Sequence, residues 1–184
     1  MAEPTVEYRL PWPQLIIGLL VFMAAAFLAS QFYGHQVEAL GRWMLAHWGL
    51  AGILVLVVLI DTFTPGFPFE TVLFFPLAAG EPWWLLAILG GLASTFAGLC
   101  GYGLGRSFGR GLGVIERFKD KPWFQPMRAQ GPTWLAVAAV TPVPYCPVCW
   151  LAGAMSFPLR SCLLGMALRI PRTFIYLGLM AGVT

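Results

Sequence analysis

Apolar residues in this chain form long runs, and prolines and charges interrupt them at only a few places. Gln14–Phe32 is a nearly continuous apolar run, and Trp83–Leu104 is another. Each run is long enough to cross about 30 Å of hydrocarbon as a helix. The pattern therefore predicts a membrane-spanning helix at both places.

Small residues recur in the second run at spacings near three and four. They are Gly90, Gly91, Ser94, Gly98, Gly101 and Gly105. This spacing puts them on one helix face and favours close packing against other membrane helices.

The segments on either side of these runs are shorter or more polar. Tyr33–Gly49 predicts an amphipathic helix at the membrane interface, and the apolar stretch Leu50–Ile60 reaches only about half a span. Near the end of the chain, Ser156–Leu168 and Ile170–Val183 predict one helix kinked at Pro171. We therefore divide the chain into an N-terminal spanning and interfacial part, residues 1–49, and a membrane domain, residues 50–184.

Two broken segments, residues 61–80 and 133–153, place prolines and polar groups inside apolar sequence. The prolines of their turns are Pro65 and Pro68 in the first segment and Pro142, Pro144 and Pro147 in the second. Broken helices at membrane depth persist only where protein or a water-filled cavity surrounds them, and a matched pair points to the central site of a transporter. We interpret the pair as two opposed re-entrant helical hairpins. The alternative is two ordinary proline-kinked helices packed together.

Composition agrees with a membrane protein. Of 184 residues, 59% are hydrophobic and only 10% are charged, whereas soluble domains carry about 25% charged residues. The fold class expected is an all-α integral membrane protein. The net charge of +3 is too small to suggest nucleic acid, and six of the eleven basic residues fall in Arg106–Gly131, which predicts a cytoplasmic loop.

Asp61 and Glu70 are the only acidic residues inside the predicted membrane core. Each would cost about 2.5 kcal/mol or more if it faced lipid, so both should face a cavity or a cation. Desolvated carboxylates are candidate proton carriers. The alternative is that they cap half-helices near the interface. The sequence leaves open whether Arg169 and Arg172 lie deep in the membrane or at its surface.

Cys146 and Cys149 form a C-x-x-C pair at the second proline turn. Two thiols at this spacing can bind a soft metal ion or form a disulfide, although a four-ligand zinc site would need two further ligands. Simple packing is the alternative. We expect no resident cofactor.

These residues resemble the DedA family and its wider VTT-domain group, the SNARE-associated Golgi proteins, over roughly residues 50–183. The first hairpin motif is matched by Asp61, Pro65, Pro68, Glu70, Ala79 and Gly80. A Y-x-x-G-R-x-x-G element is matched by Tyr102, Gly105, Arg106 and Gly109, and the second hairpin by Pro142, Ala152 and Gly153. Ile170–Tyr176 is similar to the Tvp38-type branch.

Two positions depart from the family pattern. Phe69 stands where glycine would be typical. The family's hairpin arginine would fall near Ala139, where this chain has no basic residue. Arg169 and Arg172 are the candidates to replace it from another helix.

The resemblance implies a proton-coupled transporter, not an enzyme, that translocates a lipid such as a polyprenyl phosphate or a small solute. The residues it assigns to transport or proton coupling are Asp61, Glu70, Arg106, Arg169 and Arg172. It implies a multi-pass protein of the bacterial inner (plasma) membrane, with membrane lipids and protons as partners and a homo-oligomer allowed. The alternatives are soft-metal transport by Cys146 and Cys149, or a membrane redox enzyme that uses the same pair.

Overall fold

The structure, a computed structural model, describes residues 12–64, 68–109, 111, 113–121, 124–140 and 145–182. Within these ranges the chain is helical and has no strand, which confirms the all-α class. The helices are α1 (Trp12–Phe63), α2 (Glu70–Ala78), α3 (Trp83–Phe108), α4 (Val114–Phe118), α5 (Phe124–Gln130), α6 (Thr133–Val140), α7 (Tyr145–Ala154), α8 (Leu159–Ala167) and α9 (Arg169–Ala181).

Three helical segments among the described residues are long and apolar enough to cross a membrane. They are Phe32–Phe63, Trp83–Phe108 and Leu159–Ala181. The last joins α8 and α9, so the two short apolar stretches form one interrupted helix, but the interruption lies at Leu168 and not at the predicted Pro171. Pro171 falls in the first turn of α9, where a missing backbone N–H is tolerated. Together with the composition, these segments identify an integral membrane protein.

Helix α1 contains two breaks that divide it into three parts. The backbone leaves the helical conformation at Tyr33 and again at Gly49, where φ is +63°. A positive φ of this size suits glycine, which has no Cβ to clash with the backbone. The apolar part after Gly49 continues to Phe63, slightly beyond the predicted Ile60. The membrane crossing of Gln14–Phe32 and the interfacial position of Tyr33–Gly49 stay predictions.

Helix α3 is the centre of the bundle and packs against α1, α7 and α9. Its small residues are buried as predicted. A Cβ on Gly105 would overlap the backbone carbonyl of Trp150 in α7, and a Cβ on Gly91 would lie 2.8 Å from the Cα of Ile170 in α9. The glycines therefore allow backbone-to-backbone contact that larger residues would prevent.

Each broken segment contains two helices with a break between them. The first consists of the end of α1 followed by α2, and the second of α6 followed by α7. Pro68 precedes α2, and Pro147 lies in the first turn of α7, where a missing backbone N–H is tolerated. Pro65, Pro142 and Pro144 lie outside the described residues. The opposed re-entrant arrangement stays a prediction.

Candidate functional site

Four charged side chains meet where the broken helices end, and we call them the charged cluster: Asp61, Glu70, Arg169 and Arg172. Asp61 lies in the last turn of α1, Glu70 begins α2, and both arginines lie in the first turn of α9. The side chain of Arg172 is 12% exposed, and the other three are 5% exposed or less. The two acids therefore face two cations inside the protein, and neither arginine lies at the surface.

Asp61 is fully hydrogen-bonded in this cluster. Nη2 of Arg169 donates to its Oδ1 at 3.2 Å, and the hydroxyl of Ser94 donates to its Oδ2 at 2.5 Å. Ser94 belongs to α3 and is completely buried. The small-residue pattern predicted Ser94 only as a packing residue. Among the small residues of that face, Ser94 has the only hydroxyl and the others are glycines, so the hydroxyl was the available signal for a polar role.

Glu70 is less well bound than Asp61. Its Oε1 lies 3.3 Å from Nε of Arg172, which is an ion-pair distance, but these two atoms form no hydrogen bond. Neither carboxylate oxygen of Glu70 accepts a hydrogen bond from the described residues, although the side chain is completely buried. The two acids of the cluster therefore differ in how they are held.

Arg172 also reaches the end of α6. Its Nη1 donates to the carbonyl oxygen of Ala139 at 3.1 Å. Ala139 is near the position where the resemblance places the family's hairpin arginine, so the guanidinium of Arg172 lies there although its backbone belongs to α9. Helix α9 therefore brings a cation to this part of the second broken segment, and its replacement of the family's arginine stays a prediction.

The guanidinium of Arg169 lies against two aromatic rings. Its central carbon is 3.9 Å from the ring centroid of Tyr145 and 5.2 Å from that of Phe69. Cations are attracted to the negative faces of such rings. Tyr145 begins α7 and Phe69 immediately precedes α2, so each broken segment contributes one ring. The sequence analysis missed Tyr145; the aromatic residue beside the second proline turn was the only sign of it.

The cysteine pair lies next to this cluster without joining a metal site in the described part of the chain. Cys146 donates from its thiol to the carbonyl oxygen of Thr62 at 2.6 Å, and both Cys146 and Cys149 are buried and free. No group of three or more His, Cys, Asp or Glu side chains suited to a metal ion occurs among the described residues. Cys146 instead connects α7 to the end of α1.

Arg106 lies apart from the charged cluster. It is exposed, and its Nη1 donates to the hydroxyl of Tyr102 at 3.1 Å. Twelve residues separate it from Ser94 along α3, which is about 18 Å at the helical rise. The structure therefore does not bring Arg106 to the other four residues assigned to transport, and a role for it stays a prediction.

The charged cluster combines two kinds of chemistry in one buried place. Carboxylates can gain and lose protons, whereas guanidinium groups bind carboxylate and phosphate oxygens in paired hydrogen bonds. The beginnings of α2, α7 and α9 also converge here, and helix N-termini favour negative charge. The arrangement is suited to exchanging a proton and binding an oxyanion.

Comparison with known proteins places this chain in a family. The model of the VTT domain matches residues 67–182, more than half of the chain, and this match contains Glu70, Arg169 and Arg172. An uncharacterized protein of Methanocaldococcus jannaschii is 24% identical over 117 residues, which cover 62% of this chain and 72% of that protein. No solved structure gives a significant match. The helical membrane fold, the ordered motifs and the extent of the domain match agree, and the chain belongs to the VTT-domain family of DedA-type membrane proteins.

Proposed function

We propose that this protein translocates an anionic lipid, of the polyprenyl phosphate class, across the membrane in a proton-coupled cycle. The observation that carries the proposal is the charged cluster, which buries two carboxylates and two guanidinium groups at the meeting point of two broken helical segments. Family membership indicates the membrane setting but neither the substrate nor the coupling ion.

The energetics of burial favour a functional explanation of the cluster. A charge at the centre of a spanning helix costs about 2.5–3.5 kcal/mol by insertion measurements. Replacing a buried ion pair by apolar residues of similar volume is often neutral or stabilising. A protein that needed only a stable bundle would therefore gain little from two such pairs. A transporter needs them, because the substrate headgroup and the proton must find polar partners inside the bilayer.

A lipid suits the surroundings of the site better than a fully polar solute. A mainly apolar groove of about 420 Å³ lies between α1 and α3, and Thr62, the neighbour of Asp61, is part of its lining. Phe63 and Phe108 extend the lining along the same two helices. A hydrocarbon chain would occupy this groove while its headgroup approached the cluster.

The remaining parts of the proposal concern cellular setting. We place the protein in the bacterial inner (plasma) membrane as a multi-pass protein, with the basic segment Arg106–Gly131 on the cytoplasmic side. Membrane lipids and protons are its proposed partners, a homo-oligomer is compatible with it, and it is proposed to be a transporter without enzymatic activity. Soft-metal transport receives no support from the described residues, because Cys146 and Cys149 have no third ligand there.

The test is reconstitution of the purified protein into liposomes that contain a fluorescent polyprenyl phosphate. Chemical quenching from outside reports how fast the headgroup moves between leaflets, with and without a pH gradient. We expect gradient-dependent movement in the wild type and its loss in the Asp61→Asn/Glu70→Gln double variant. Glu81→Gln, an acid outside the cluster, serves as the matched control and should behave as wild type.

Two results would contradict the proposal. One is movement in the wild type no faster than in protein-free liposomes. The other is full activity in the double variant, which would exclude the charged cluster from the transport step. Transport of Cd²⁺ or Hg²⁺ by the wild type that disappears in Cys146→Ser would instead favour the soft-metal alternative.

A further inference from the structure

We propose that the two ion pairs of the charged cluster have separate tasks: Glu70 and Arg172 form the site where a proton is exchanged for a phosphate-type headgroup, and Asp61 and Arg169 form a fixed pair. This inference rests on the proposed function and divides its work between named residues. It assigns the proton to Glu70 and the substrate oxyanion to Arg172.

The first observation is the difference in hydrogen bonding between the two acids. Both oxygens of Asp61 accept a hydrogen bond, one from Arg169 and one from Ser94. Neither oxygen of Glu70 accepts one from the described residues, even though the carboxylate is completely buried. Protonation of Asp61 would therefore weaken two hydrogen bonds made to its carboxylate, whereas protonation of Glu70 would weaken none and disturb only its ion pair with Arg172.

The second observation is the difference in enclosure between the two arginines. Arg169 lies between the rings of Tyr145 and Phe69 and donates to Asp61, so its guanidinium is held from three directions. Its Nε has no acceptor, but the two rings occupy the space around the group. Arg172 is more exposed than Arg169, donates to the backbone carbonyl of Ala139, and lies over only one ring with a printed contact, that of Tyr176 at 5.0 Å. Its Nε makes no hydrogen bond and lies 3.3 Å from Oε1 of Glu70.

The charges around Glu70 come from two neighbouring helices. Helix α9 contributes Arg172 and Arg169, and the end of α1 contributes Asp61, which interacts electrostatically with Glu70. Helix α3 packs on α2 through Gly90 against Leu73 and places no described charge there. With Asp61 already paired to Arg169, the state of Glu70 depends mainly on whether Arg172 has another anion.

These relations produce a coupled exchange with balanced charge. When Glu70 takes up a proton, its carboxylate becomes neutral and Arg172 is left as a buried cation without a counter-ion. An unpaired buried cation is unfavourable, so a singly charged phosphate-type headgroup is drawn to Arg172 and restores neutrality. When the headgroup leaves on the other side, Glu70 releases its proton and pairs with Arg172 again. The expected ratio is one proton for each singly charged headgroup.

The proton half of the inference is tested by infrared spectroscopy of the full-length protein in lipid nanodiscs, without any substrate. A protonated carboxyl group shows a C=O stretching band that grows as the pH falls. We expect the part of this band that comes from a buried carboxyl group to be absent from Glu70→Gln and present in Glu81→Gln. Because Asp61→Asn removes the partner of Arg169 and so changes the cluster itself, aspartate is tested by ¹³C labelling of its carboxyl group, which changes no side chain. The chain has only two aspartates, Asp61 and Asp120. A buried band that shifts with the aspartate label and persists in Glu70→Gln overturns the assignment.

The oxyanion half is tested with farnesyl phosphate as the probe, by calorimetric titration in buffers of different ionisation enthalpy. We expect the wild type to take up a proton on binding and Glu70→Gln to bind without proton uptake. Arg172→Gln should bind about 10- to 100-fold more weakly, as expected for lost hydrogen bonds to a charged group. Arg160→Gln, which removes an exposed cation of α8 outside the cluster, is the matched control and should bind as wild type.

The outcomes separate this inference from the proposed function. If the wild type does not bind farnesyl phosphate, the anionic-lipid function fails whatever the infrared result. If the wild type binds it with proton uptake but Glu70→Gln still takes up the proton, or Arg172→Gln binds normally, the function stands and the division of tasks is wrong.

Discussion

The hydrogen bond between Ser94 and Asp61 provides the sharpest test of how the charged cluster is held. Ser94→Ala removes one hydroxyl from a completely buried position and leaves Oδ2 of Asp61 without its 2.5 Å donor. The change creates almost no cavity, so the loss of free energy of unfolding should reflect the hydrogen bond. For a bond to a charged group that loss is about 1.5–3 kcal/mol. Ser107→Ala, an exposed position on the same helix, should change stability by less than about 0.5 kcal/mol.

The assay is reversible unfolding in mixed detergent and lipid, with the free energy of unfolding measured for each variant. A double-mutant cycle with Asp61→Asn assigns the effect, since residues in direct contact give a coupling energy and independent ones do not. We expect Asp61→Asn to cost less in the Ser94→Ala background than in the wild type. Equal stability of Ser94→Ala and wild type, or a coupling energy of zero, would refute the structural reasoning.

Two further predictions concern packing around the same site. Gly105→Ala places a Cβ against the backbone carbonyl of Trp150 and should destabilise the protein by about 1–3 kcal/mol. Gly103→Ala, whose Cβ meets open space, should be tolerated. Comparable unfolding midpoints of the two variants would show that α3 and α7 do not pack as described. Tyr145→Phe keeps the ring that lies 3.9 Å from Arg169 and should retain stability. Tyr145→Leu should lose about 0.5–2 kcal/mol of cation–π interaction. Equal unfolding free energies for the Phe and Leu variants would contradict that contact.

Part of the site could be predicted from the sequence because charged residues are rare in its apolar segments. Asp61 and Glu70 stand out as the only acids in apolar sequence, and the structure buries both. Arg169 and Arg172 were recognised as candidates, but their depth was undecided because a short apolar stretch on either side fits both a deep and a surface position. The structure settles this by pairing Arg169 with a residue 108 positions away.

Other members of the site could not be found in this way. Ser94 lies in a row of glycines whose spacing predicts helix packing, and the neighbouring glycines do pack against other helices. Tyr145 has no charge to mark it, and Arg106 was grouped with the cluster by its motif although it lies elsewhere on α3. In each case the role depends on which helix lies opposite, and that information is absent from local sequence.

The amino-acid sequence by itself determined that this is an all-α membrane protein with two broken segments and a few buried charges. This is because hydrophobicity and proline act locally, deciding which stretches enter the bilayer and where a helix must stop. Only the tertiary structure decided which charges meet. The partner of each buried charge depends on close backbone contact between helices distant in sequence, which the glycines of α3 permit but do not specify.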